Sequence, residues 1–165
     1  MPPPAPHYDL STVDLTKTID NIEGIRRYLP HRHPMEMLTA IVMMDTTEKI
    51  IIGYKDVGAD EFWVPGHMPG FPIFPGVLML EAAAQLSAYY TIANKISQGV
   101  MMGLGGIENS RFRRGVHPGE RLVMVGKGYR VKPRMTLFNI QGFVDNELAF
   151  HTDVIGVGLG KFEDL

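Results

Sequence analysis

Apolar and polar residues alternate along much of the second half of the chain, and this period of two predicts β-strands. Strong strand patterns recur there and are separated by short polar turns. Nearer the start, two apolar runs flank the polar segment 45–48, as they would in an antiparallel hairpin. A weaker, glycine-containing run is expected to be a further strand. The sequence therefore predicts five or six strands, at residues 37–44, 50–57, 101–112, 121–131, 135–144 and 148–157.

One stretch has a different pattern and predicts a long helix. Residues 76–94 contain no proline and no internal glycine, and they are dense in Leu, Met and Ala. Apolar residues fall on nearly every face of the first four turns, which is typical of a helix buried on all sides. A short helix is also expected from Thr18 or Asp20 to Leu29, where Pro30 would end it. A long buried helix with an antiparallel sheet predicts an α+β domain, and pairing of two such sheets at their open edges predicts a homodimer.

Length and composition predict one domain. The chain has 165 residues, of which 45% are apolar, and we expect the domain at residues 18–158 between a flexible tail at 1–17 and a C-terminal tail at 159–165. Cysteine is absent from the sequence, which excludes disulfides and thiolate catalysis and fits a cytoplasmic protein. The first residues do not have the pattern of a signal peptide, and no apolar stretch is long enough to span a bilayer, so no membrane association is expected.

Charge is unevenly distributed along the chain, whose net charge is −2. Residues 111–134 contain eight Lys or Arg and one acid, so this segment carries +7 and the rest of the chain carries −9. A positive surface on an otherwise acidic protein suits an acidic partner or a phosphate-bearing ligand, although a solvated strand face would have the same composition. Nucleic acid is not an expected partner, because the whole chain is not basic and contains no recognition motif.

A proline-rich loop before the long helix contains the first candidate for chemistry. Residues 65–75 include four prolines and two glycines, a composition that continues neither a helix nor a sheet. His67 lies in this loop, shortly after the single tryptophan, Trp63, on backbone that the prolines restrain. An imidazole can accept a proton near neutral pH, and a restrained backbone would hold it in place as a base.

The long helix contains the second and third candidates. Glu81 and Gln85 lie four residues apart on one helix face. A carboxyl group among leucines, a methionine and alanines is costly to ionise, so a raised pKa is expected for Glu81. Gly76, directly after Pro75, would leave the free amides of the first turn open to a ligand with developing negative charge. A base, a buried acid and such a helix start suit removal of a proton next to a thioester carbonyl with loss of a hydroxyl.

The residues alone leave other interpretations open. Glu81 and Gln85 could belong to a structural hydrogen-bond network, and the same site could serve a hydratase, an isomerase or a thioesterase. His31 and His33 have the spacing of two metal ligands on a strand, but the sequence suggests no third ligand nearby, so no metal is expected.

The sequence GHMPGFPIFPGVLMLEAAAQ at 66–85 combines the loop histidine, the Pro-Gly helix start and an acid fourteen residues after the histidine. It closely resembles the active-site segment of the FabZ-type 3-hydroxyacyl-acyl-carrier-protein dehydratases of the FabA/FabZ family, with the glutamate favouring FabZ over FabA. The resemblance extends to LPHRHP at 29–34 and SRFRRGVHPGERL at 110–122, and it covers about residues 22–158.

This resemblance implies a hot-dog fold and a dehydratase of fatty acid biosynthesis. It implies a homodimer, with further assembly of three dimers left open, in which each active site combines His67 of one subunit with Glu81 of the other. In that family mechanism His67 removes the proton beside the thioester, the Gly76 amide polarises the carbonyl, and Glu81 protonates the departing hydroxyl without any cofactor. The expected substrate-binding residues are Pro75, Val77, Gln85, Gly103 and Leu104.

The resemblance also names a partner and a departure from the family pattern. An acyl carrier protein would meet the basic segment, at Arg111, Arg113, Arg114, Arg121 and Lys132. Gly103-Leu104 stands where family members commonly have an aromatic pair, which suggests either a wider mouth of the acyl tunnel or a bulge. The rival hypotheses are a hot-dog acyl thioesterase, an enoyl-CoA hydratase, and a noncatalytic acyl-binding subunit, which the presence of both His67 and Glu81 disfavours.

Overall fold

Seven antiparallel strands form one sheet in the computed structural model, which describes residues 2–161. The strand order β1-β2-β3-β5-β6-β7-β4 places β1 and β4 at the edges, and the helix α2 contacts the five strands β3 to β7. The predicted α+β class is confirmed, with one strand more than expected. The elements are β1 (Asp20–Asn21), α1 (Ile22–Ile25), β2 (Ala40–Asp45), β3 (Ile50–Asp56), α2 (Gly76–Ala93), β4 (Val100–Phe112), β5 (Arg121–Lys132), β6 (Met135–Val144) and β7 (Glu147–Lys161).

Tight turns set the register of the last three strands. Val144 pairs with Glu147, and the two residues between them, Asp145 and Asn146, have φ values of 50° and 65°. Positive φ at both positions suits the two-residue hairpin turns that match the twist of a sheet, and Asp and Asn adopt it more readily than most residues. The predicted hairpins are therefore confirmed.

The last strand is longer than its pattern predicts. Gly160 pairs with Met101 and Lys161 pairs with Val100, so the sheet continues past the predicted domain end at residue 158. Residues 159–161 are part of the domain and not of a tail. The rest of the predicted C-terminal tail, residues 162–165, lies outside the described residues.

The long helix α2 lies where its sequence predicts, and its buried side contributes to the main core. Tyr89 and Tyr90 are among its buried residues, and Tyr90 packs edge-on against Phe138 of β6 with ring centroids 5.4 Å apart. The prediction that the helix is buried on all sides is wrong for the single chain. Val77 is 73% exposed, and the residues one to three turns further along the same face are only partly buried, namely Glu81, Ala84 and Ala88.

The short helix α1 begins later than predicted. The side chain of Asn21 caps it by accepting a hydrogen bond from the Gly24 amide at 3.1 Å, so neither Thr18 nor Asp20 is the cap. Asp20 instead accepts a hydrogen bond from the Tyr89 hydroxyl at 2.5 Å, which ties this end of the sheet to α2. Leu29 is buried in the main core, as expected for a covering segment.

The N-terminal segment is packed, and the prediction of a flexible tail is wrong for it. The amide of His7 donates to Gln141 at 2.9 Å, and Gln141 in turn donates to the Ala5 carbonyl at 2.9 Å. A separate hydrophobic cluster of strand residues is covered by side chains from this segment, namely Tyr8, Leu10, Val13 and Leu15. Burial of that apolar surface stabilises the segment against the sheet.

No helix within residues 2–161 is long and apolar enough to cross a membrane.

Candidate active site

Hydrogen bonds to neighbouring backbone hold His67 in its loop. Its amide donates to the Trp63 carbonyl at 2.8 Å, and its carbonyl accepts from the Ile73 amide at 3.2 Å. Trp63 is buried, with its ring centroid 5.5 Å from that of Phe74, so the start of the loop is anchored in the core. The restrained backbone expected for this histidine is present.

The tautomer of His67 follows from the partner of its ring. The Nδ1 atom lies 2.8 Å from the Ile73 carbonyl oxygen, which can only accept, so Nδ1 carries the proton. In the neutral ring Nε2 then has the free lone pair. His67 is therefore prepared to accept a proton on Nε2.

The start of α2 follows directly after the same loop. The amides of Leu78 and Met79 both donate to the Pro75 carbonyl, at 2.9 and 3.1 Å, and no side chain caps the helix. Within the described residues the Gly76 and Val77 amides have no such backbone acceptor. A Cβ atom at position 76 would come within 3.0 Å of the Phe112 ring, so glycine allows close packing of this ring against the helix start.

Glu81 lies in a different environment, beside a cavity of about 100 Å³ between α2 and the strands β4, β6 and β7. The predicted substrate-binding residues Gln85, Gly103 and Leu104 line this same cavity, and Met102, Thr136 and Gly156 complete its far side. The structure thus places four of the predicted site residues around this one cavity, namely Glu81, Gln85, Gly103 and Leu104.

Gly103 lines this cavity at a point of close packing between β4 and β7. A side chain at this position would lie 2.6 Å from Leu159, so the glycine makes room for a leucine of the neighbouring strand. The pairing of β4 with β7 shifts register between Leu104 and Gly106, which is a β-bulge. The bulge, one of the two expectations for the glycine-rich run, is present, whereas a wider mouth of the acyl tunnel stays a prediction.

The prediction of a raised pKa for Glu81 is wrong. A hydrogen bond with His31 has the largest effect and lowers the pKa of Glu81 below its usual value, against the burial that raises it. A second hydrogen bond, from the Gln85 amide at 2.8 Å, lowers the pKa further. These two donors stabilise the ionised carboxyl group despite its aliphatic neighbours.

His31 is the residue of this site that sequence reasoning missed. Its Nε2 atom lies 3.3 Å from Oε1 of Glu81, although the two residues are fifty positions apart. Its motif, LPHRHP, was identifiable from the resemblance, but its spacing to His33 suggested only a metal site. Within residues 2–161 no cluster of side chains is arranged to hold a metal ion.

The two halves of the candidate site do not meet within one chain. The loop half contains His67, Pro75, Gly76 and Val77, whereas the cavity half contains Glu81, Gln85, Gly103 and Leu104. His67 is not among the residues that line the Glu81 cavity, and no hydrogen bond or ion pair joins the two side chains in the described part of the chain.

Local acids already pair with two of the predicted carrier-binding arginines. Arg121 donates to both oxygens of Asp56, at 2.6 and 2.9 Å, and its guanidinium lies 3.8 Å from the centre of the Tyr54 ring. Arg114 pairs with Glu120 and lies 3.5 Å from Glu147. Both side chains are thus held in place and largely neutralised.

The five basic residues do not form one patch on the single chain. Arg121 and Lys132 are the first and last residues of β5, about 35 Å apart along an extended strand. The sheet register places Arg111 level with His151 and Gln141, near the Arg121 end. Lys132 therefore lies at the opposite end of the sheet from the arginines.

Comparison with known proteins supports the family assignment. The FabA-like domain model matches residues 29–153. The FabZ 3-hydroxyacyl-acyl-carrier-protein dehydratase of Lawsonia intracellularis is 38% identical over 133 residues, covering 78% of this chain and 86% of that protein. The corresponding enzyme of Ralstonia nicotianae is 36% identical over 138 residues, covering 82% and 84%. The chain therefore belongs to the FabA-like family, among the FabZ-type dehydratases.

Solved structures share the fold. The dehydratase heterocomplex ApeI:P from Xenorhabdus doucetiae aligns with a TM-score of 0.72 at 17% identity, covering 84% of this chain and 93% of that one. At this identity the similarity concerns the fold alone. It confirms the predicted hot-dog architecture, in which a long helix lies against an antiparallel sheet.

Proposed function

We propose that this protein removes water from 3-hydroxyacyl groups carried on acyl carrier protein, giving trans-2-enoyl products for fatty acid biosynthesis in the cytoplasm. His67 and the Gly76 amide of one subunit act with Glu81 of a second subunit. His67 takes the proton beside the thioester on Nε2, the Gly76 amide stabilises charge on the carbonyl oxygen, and Glu81 protonates the departing hydroxyl. The observation that carries this proposal is the tautomer of His67, whose Nδ1 is committed to the Ile73 carbonyl at 2.8 Å.

A homodimer is supported by the apolar surface that the single chain leaves uncovered. Five large apolar side chains around the two half-sites are between 49% and 73% exposed, namely Met68, Phe71, Val77, Leu104 and Phe112. Exposure of this many large apolar side chains near a candidate site favours an interface. Both edges of the sheet also have unpaired backbone groups, and a second copy could cover β4. Because the half-sites are separate within a chain, the second copy would also complete the active site.

Dehydration needs no redox change, since the thioester itself acidifies the adjacent proton and water leaves with both electrons of the C–O bond. A thioesterase would instead require water positioned at the thioester carbonyl. Carrier protein is favoured over coenzyme A because the relatives that match most of the chain are acyl-carrier-protein dehydratases by name.

The experiment supplies crotonyl and 3-hydroxybutyryl thioesters on acyl carrier protein and on coenzyme A. Enoyl absorbance and free thiol are followed together. We expect reversible interconversion of the two acyl groups, faster on acyl carrier protein, with no thiol released. Thiol release without interconversion would assign the chain to the thioesterases, and interconversion on coenzyme A alone would assign it to the enoyl-CoA hydratases.

A further inference from the structure

We propose that His31 is a positioning residue that holds the proton which Glu81 delivers to the departing hydroxyl, so that the acid of this site is a His31–Glu81 pair. This inference rests on the proposed dehydration and concerns the source of its second proton. A glutamate that is already ionised has no proton to donate, and His31 is the neighbour that could supply one.

The geometry of the pair is suited to sharing a proton. Nε2 of His31 lies 3.3 Å from Oε1 of Glu81, and both side chains line the same cavity. The other ring nitrogen, Nδ1, is buried and has no hydrogen-bond partner within residues 2–161. The ring therefore has one polar contact in this part of the chain, and that contact is the carboxyl group of Glu81.

Gln85 fixes the carboxyl group from the other side. Its amide nitrogen donates to Oε1 of Glu81 and to the Met35 carbonyl, each at 2.8 Å, while its amide oxygen accepts from the Met37 amide at 3.0 Å. The same side chain thus ties Glu81 to the segment that follows His31. This arrangement keeps the two members of the pair together, although one lies on a helix and the other on a connecting segment.

Few other charged groups lie beside His31 and Glu81. His31 and Glu81 are the titratable residues among those that line the cavity, and the strands contribute only uncharged residues to it. In the connecting segment His31 is followed by Arg32, His33 and Glu36, and Glu36 pairs with Arg26 at 2.6 Å. His31 is therefore the titratable side chain that lies within ion-pair distance of Glu81 in residues 2–161.

Two protons move in the proposed step. The imidazolium form of His31 gives its Nε2 proton to the ionised carboxyl group of Glu81, and Glu81 passes that proton to the hydroxyl oxygen as the C–O bond breaks, which forms water. The proton from the carbon beside the thioester is taken by Nε2 of His67. At the end His31 has lost one proton and His67 has gained one, and exchange of a single proton with solvent restores both.

The test compares His31→Gln with His33→Gln across pH in dehydration of 3-hydroxybutyryl thioester, the direction in which Glu81 must donate a proton. Glutamine retains a donor toward Glu81 but has no proton to give, so Glu81 must then acquire its own, which is favoured only at low pH. For His31→Gln we expect kcat about tenfold or more lower at pH 8, recovering toward the wild-type value near pH 5.5, with KM little changed. The matched control His33→Gln, at an exposed position of the same segment, is expected to keep the wild-type pH profile.

Two results would overturn the inference: an unchanged kcat in His31→Gln, or a loss of equal size at every pH, which would indicate a merely structural role. A second readout does not depend on activity. Carboxyl carbon NMR of the whole protein should show the pKa of Glu81 rising in His31→Leu, which removes the hydrogen-bond donor that lowers it, and an unmoved pKa would count against the pair. An inactive wild-type protein would overturn the proposed function, and the NMR result would still decide whether His31 controls Glu81.

Discussion

Replacing His67 by alanine is expected to lower kcat/KM for dehydration of 3-hydroxybutyryl thioester by about a thousandfold, because the base is removed from the step that breaks the C–H bond. The ring has a specific tautomer, with Nδ1 donating to the Ile73 carbonyl at 2.8 Å, and alanine offers no group that accepts a proton. KM should change little, since the carrier and the acyl chain contact other parts of the site.

His33→Ala is the matched control for this experiment, because His33 is an exposed histidine. It should retain activity within about twofold, as expected for a surface substitution away from the site. Circular dichroism and gel filtration should show that His67→Ala remains folded and of wild-type size. Retention of more than about a tenth of the wild-type activity would remove His67 from the role of base.

Glu81→Gln is expected to lower kcat by roughly a hundredfold or more between pH 5.5 and 9, because an amide cannot donate an acidic proton at any of these pH values. This profile differs from that of His31→Gln, in which low pH restores activity. The exposed carboxyl group of Glu48 provides the control, and Glu48→Gln should behave as wild type. A Glu81→Gln protein that recovers at low pH would show that another group supplies the proton.

The same substitution should affect stability in a pH-dependent way. The pKa of Glu81 is below its usual value in the folded protein, owing first to the hydrogen bond with His31. The ionised group therefore contributes stability above the ordinary glutamate pKa, and this contribution is lost as pH falls through the lowered value. Urea unfolding should show the wild type losing its advantage over Glu81→Gln as the solution is acidified.

Local patterns in the sequence were sufficient to predict most of the helices and strands. The helix at 76–93 and the hairpin turn at 145–146 are specified by residues that are close in sequence, so periodicity and turn chemistry predict them well. The N-terminal segment was different. Tyr8 and Leu10 have no repeating pattern, and their packing depends on a sheet surface formed by residues far along the chain.

Sequence motifs were sufficient to nominate most residues of the candidate site, but they did not predict its electrostatics. His67, Gly76 and Glu81 lie close in sequence and could be grouped from the motif, whereas the partner that sets the ionisation of Glu81 lies fifty residues earlier. An expectation based on aliphatic neighbours alone gave the wrong direction for the pKa. The carrier-binding role of the basic segment stays a prediction, but its charges are a related case, since residues adjacent in sequence include Arg121 and Lys132 at opposite ends of β5.

Mixed dimers distinguish an active site shared by two chains from an active site within one chain. His67→Ala and Glu81→Gln subunits, each inactive alone, are denatured and refolded together or co-expressed. A mixed dimer has one site with both wild-type residues and one site with neither. Random pairing of equal amounts makes half of the dimers mixed, and each mixed dimer has one functional site of two. If the sites are shared between chains, about a quarter of the wild-type activity should be recovered. Activity that stays at the level of the two separate variants, in a sample shown to contain mixed dimers, would show that His67 of one chain does not act with Glu81 of the other.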